Sequence, residues 1–129
     1  MYKLDKESVI GISALLVHAA NIDEIYSDHE KDLVKNFISS YLTDEDSNEI
    51  LLRAEKIEKD SNQLLNYTKI IKDNSMEIKK DIIAHLWKVI ISDNTVDQYE
   101  SNLMRRICGL IYFPDKLSAE IKLRILNKE

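Results

Sequence analysis

Two stretches decide the fold: ANIDEIYSDHEKDLVKNFISSYL, residues 20–42, and IISDNTVDQYESNLMRRICGLIY, residues 90–112. A shift of 70 residues superimposes them without a gap, placing Asp23 on Asp93, Glu30 on Glu100, Leu33 on Leu103, Phe37 on Ile107 and Ile38 on Cys108. The residues upstream follow the same register, with Ile12 on Ile82, Ala14 on Ala84 and Leu16 on Leu86. Positions 33, 34, 37, 38 and 41, and their partners 103, 104, 107, 108 and 111, recur as i, i+1, i+4, i+5, i+8, which is one face of an α-helix. Each copy therefore reads as helix, short polar loop, helix, with loops near 21–27 and 93–96. Neither hairpin buries both of its faces alone. The two copies are expected to pack about a pseudo-twofold axis, with the helices of residues 44–72 joining them.

Local signals set the helix ends. Ser27 precedes Glu30 by three residues and Asp97 precedes Glu100 by three, the spacing of a capping box, and Asn74 with Glu77 repeats it. Thr43 is placed to cap a helix reaching about Lys59, with Ile50, Ala54 and Ile57 turned inward. A shorter helix is expected over 62–72. Pro114 is expected to end the second hairpin, and Leu117, Ile121 and Ile125 mark a terminal helix over about 115–127. The expectation is an all-α fold of about seven helices in one domain, residues 1–129.

Composition agrees. The chain has two Gly and one Pro in 129 residues, far too few for a turn-rich sheet protein, while 44% apolar and 32% charged residues suit amphipathic helices. The single cysteine, Cys108, excludes a disulfide framework and a thiolate metal site, and aligns with the apolar Ile38. The net charge of −5 argues against nucleic acid, which demands clustered cations. Charge is uneven: residues 1–60 carry 14 acids and 7 bases, residues 61–129 carry 9 acids and 11 bases. If Asp44, Glu45, Asp46 and Glu49 segregate from Lys79, Lys80, Lys88, Arg105, Arg106, Lys116, Lys122 and Arg124, the surface is dipolar and suits charge-steered docking or head-to-tail self-association. Interleaved signs would cancel. The apolar run Val9–Ala20 follows Asp5 and Glu7 as well as two lysines and is too short to span a bilayer, so it reads as a core helix and the protein as cytoplasmic, without membrane insertion.

The segments HAANIDEIYSDHEKDLV and HLWKVIISDNTVDQYESNLMRRICGLI carry a resemblance to the tellurite-resistance TerB-like family. That family has two copies of a helix ending in a D-G-x-apolar turn, followed by a Glu opening the next helix. The second segment is similar through Leu86, Trp87, Val89, Asp93, Glu100, Leu103, Arg105, Arg106 and Leu110, and Tyr67–Thr68 stands where a Phe–Thr pair is common. Glu24 and Asn94 replace the motif glycines. Asn tolerates a left-handed backbone and Glu tolerates it poorly, so the first loop is expected to turn differently.

The resemblance implies a non-enzymatic stress-response accessory protein, acting with a membrane-associated protein partner, whose paired acids Asp23, Glu30, Asp93 and Glu100 chelate a divalent cation. Oxygen ligands alone favour Ca²⁺ or Mg²⁺. Without an ion the same residues have ordinary roles: each Glu closes a capping box, and each Asp can bond amides of its own loop. The loops lack the ligand spacing of an EF-hand. The alternative is a metal-free helical interaction module docking on a membrane-associated or chaperone partner. No glycine-rich phosphate loop or nucleophile–base pair is visible. His18 and His85 are expected to line helix packing.

Overall fold

In the computed structural model the described residues are 4–21, 26–60, 64–91 and 98–127, excepting the side chains of Leu64, Gln98 and Tyr99. They form seven helices: α1 (Lys6–Ala20), α2 (Asp28–Tyr41), α3 (Ser47–Asp60), α4 (Leu64–Lys72), α5 (Met76–Ile91), α6 (Gln98–Leu110) and α7 (Asp115–Asn127). The fold is all-α.

Helix α1 is the centre. Val9 through Val17, with Ala19 and Ala20, are all buried, so the helix is apolar around its whole circumference. It packs on α2, α3, α4 and α5. Asp5 caps it, its carboxylate accepting from the Ser8 amide at 2.8 Å. Helices α2 and α3 both lie on α1, whereas α5 packs on α1, α2 and α7, and α6 packs on α4 and α7. The inward stripes of α2 (Val34, Phe37, Ile38) and α6 (Leu103, Met104, Ile107, Cys108) are buried as their spacing requires, as are Tyr67 and Trp87.

Three helix ends differ from the expected ones. Helix α3 begins at Ser47 and not behind Thr43; Asp46 caps it, accepting from the Asn48 amide at 2.9 Å. That start leaves Ile50, Leu51 and Ala54 inward and Ile57 38% exposed. Helix α5 is capped by Ser75, whose hydroxyl accepts from the Ile78 amide at 3.3 Å, while the Asn74 side chain turns back to donate to the Ile70 carbonyl. Helix α6 stops before Pro114. Phe113 N–H reaches Cys108 O at 2.8 Å, Tyr112 N–H reaches Gly109 O at 3.4 Å, and Tyr112 sits at φ 58°, a Schellman ending with tyrosine in the left-handed position. Pro114 instead precedes α7, its carbonyl accepting from the Ser118 amide. The expected loop at 93–96 and the Asp97 cap lie outside the described residues, as does most of the loop expected at 21–27.

Candidate acidic site

The start of α2 is built by the expected capping box. Ser27 Oγ accepts from the Glu30 amide at 3.2 Å, and Glu30 Oε1 accepts from the Ser27 amide at 2.8 Å and from its hydroxyl at 3.2 Å. Glu30 is buried, at 6% exposure, and Glu100 in the first turn of α6 is buried at 4%. A carboxylate in a first helical turn is stabilised by about 0.3–1 kcal/mol by the helix dipole, which offsets part of the burial cost. Asp23 and Asp93, the other two acids of the expected cluster, lie outside the described residues. Among the described residues no three His, Cys, Asp or Glu side chains form a metal-ligand set.

The structure adds acids that sequence spacing missed. Packing of α3 on α1 brings Glu55 and Glu58 to the end of the bundle where α1 finishes and α2 begins. Tyr26 Oη donates to Glu55 Oε2 at 2.6 Å. Asn21 Nδ2 donates to Glu58 Oε1 at 3.5 Å, and His18 Nδ1 lies 3.3 Å from Glu58 Oε2. Burial, then the hydrogen bond and charge of Glu55, then the charges of Glu30 and Glu58, push the Tyr26 phenol far above its ordinary value. The phenol is therefore a fixed donor at any physiological pH. The pairs are 29 and 40 residues apart in sequence for Tyr26–Glu55 and His18–Glu58, so no local motif announces them.

Other polar groups serve packing. His85 sits against Phe37, ring centroids 5.2 Å apart and edge-on, with its Nε2 3.6 Å from Asp81, which also accepts from Tyr41 Oη at 2.7 Å. Cys108 is buried, and burial raises its thiol pKa against a hydrogen bond from Ser118, which makes it a poor nucleophile. Of the expected basic face, Lys79 is buried and Lys122 lies 5.1 Å above the Trp87 ring, while Arg105 and Arg106 are exposed. Among the described residues no helix is long and apolar enough to cross a membrane.

No curated protein and no solved structure matches the chain. A family model does, described as tellurite resistance protein TerB, and its match runs over residues 10–123, from the buried centre of α1 into α7. The chain belongs to the TerB family.

Proposed function

We propose that this protein is a non-enzymatic, cytoplasmic accessory protein of a tellurite-resistance-like stress response, which binds a divalent cation through Asp23, Glu30, Asp93 and Glu100. Family membership supports the cellular role. The observation that carries the ion-binding reading is the burial of Glu30 and Glu100 at equivalent places, 70 residues apart, in the first turns of α2 and α6. Two buried carboxylates in one fold are costly unless hydrogen bonds, a helix terminus or a counter-ion offset them. The capping box holds Glu30 in place before any ion arrives. An oxygen-only donor set fits Ca²⁺ or Mg²⁺.

Thermal unfolding with and without millimolar Ca²⁺ or Mg²⁺ tests this. An ion at 100 times its dissociation constant adds about 2.7 kcal/mol of stability to a native state that alone binds it. Gln is accepted at the third position of a capping box, so Glu30→Gln with Glu100→Gln removes both charges and keeps the α2 cap. The expected result is an upward shift in the wild type that the double variant loses. No shift with either ion would leave the metal-free module, docking on a membrane-associated or chaperone partner, as the better reading.

A further inference from the structure

We draw no further inference here: the strongest candidate, the open groove between α4 and the end of α6 with Leu65 and Tyr112 exposed on its rim and Lys69 and Lys72 beside them, carries nothing, because nothing in the structure shows what covers it.

Discussion

The indole N–H of Trp87 donates to the Ser118 hydroxyl across 3.0 Å, tying α5 to α7 inside the protein. Ser118→Ala would leave that buried donor without its acceptor, at a cost of about 1–3 kcal/mol. Trp87 is the sole tryptophan, so its fluorescence reports both its own surroundings and global unfolding. The expected outcome is a lower denaturant midpoint for Ser118→Ala. An unchanged midpoint would mean that the bond contributes nothing.

Ser13 presents the opposite case. It is fully buried in α1, and its hydroxyl has no hydrogen-bond partner among the described residues. Ser13→Ala removes a desolvated hydroxyl and adds helix propensity, so a gain of about 1 kcal/mol is expected in urea unfolding. A loss of stability would show that the hydroxyl is satisfied after all.

Tyr112 holds a left-handed backbone at φ 58°, which costs a non-glycine residue about 1–2 kcal/mol. Its ring returns part of this through Lys72, a contact that contributes about 0.5–1 kcal/mol at an exposed site. The expected order of melting temperature is Gly above Tyr above Val at this position, since a β-branched residue is worst there. Calorimetry of the three proteins checks it, and a glycine variant less stable than wild type would contradict it.

Burial lowers the His85 pKa below its ordinary 6.5, with the Asp81 charge opposing and the Lys88 charge assisting. The unfolded chain therefore binds a proton that the folded one resists. This contribution is fully present above pH 6.5 and is lost as pH falls from there toward the folded value. His85→Gln should flatten the fall in melting temperature as pH drops below 6.5, relative to wild type. Equal slopes for the two proteins would remove His85 as the cause.

The residues that made the fold legible are those whose role is set within one helical turn. Leu117, Ile121 and Ile125 after Pro114 gave α7 its observed bounds, and Ser27 with Glu30 gave α2 its cap. The start of α3 was ambiguous because TDEDS offers several side chains able to cap; Asp46 takes the role, and the inward face turns away from Ile57. In the acidic site, Glu30 was legible through its cap. Glu55 and Glu58 were not, because tertiary packing of α3 on α1 alone brings them to Tyr26 and His18.

The helix α1 precedes in sequence all four helices that cover it, and its last cover, α5, ends at Ile91. During synthesis its fifteen residues are made long before they can be fully enclosed. A growing chain therefore carries a greasy segment that invites chaperones or aggregation until most of the protein has emerged. Once closed, the same topology leaves α1 no local route back to water. Its amides should exchange with deuterium only through global opening, at the slowest rates in the molecule.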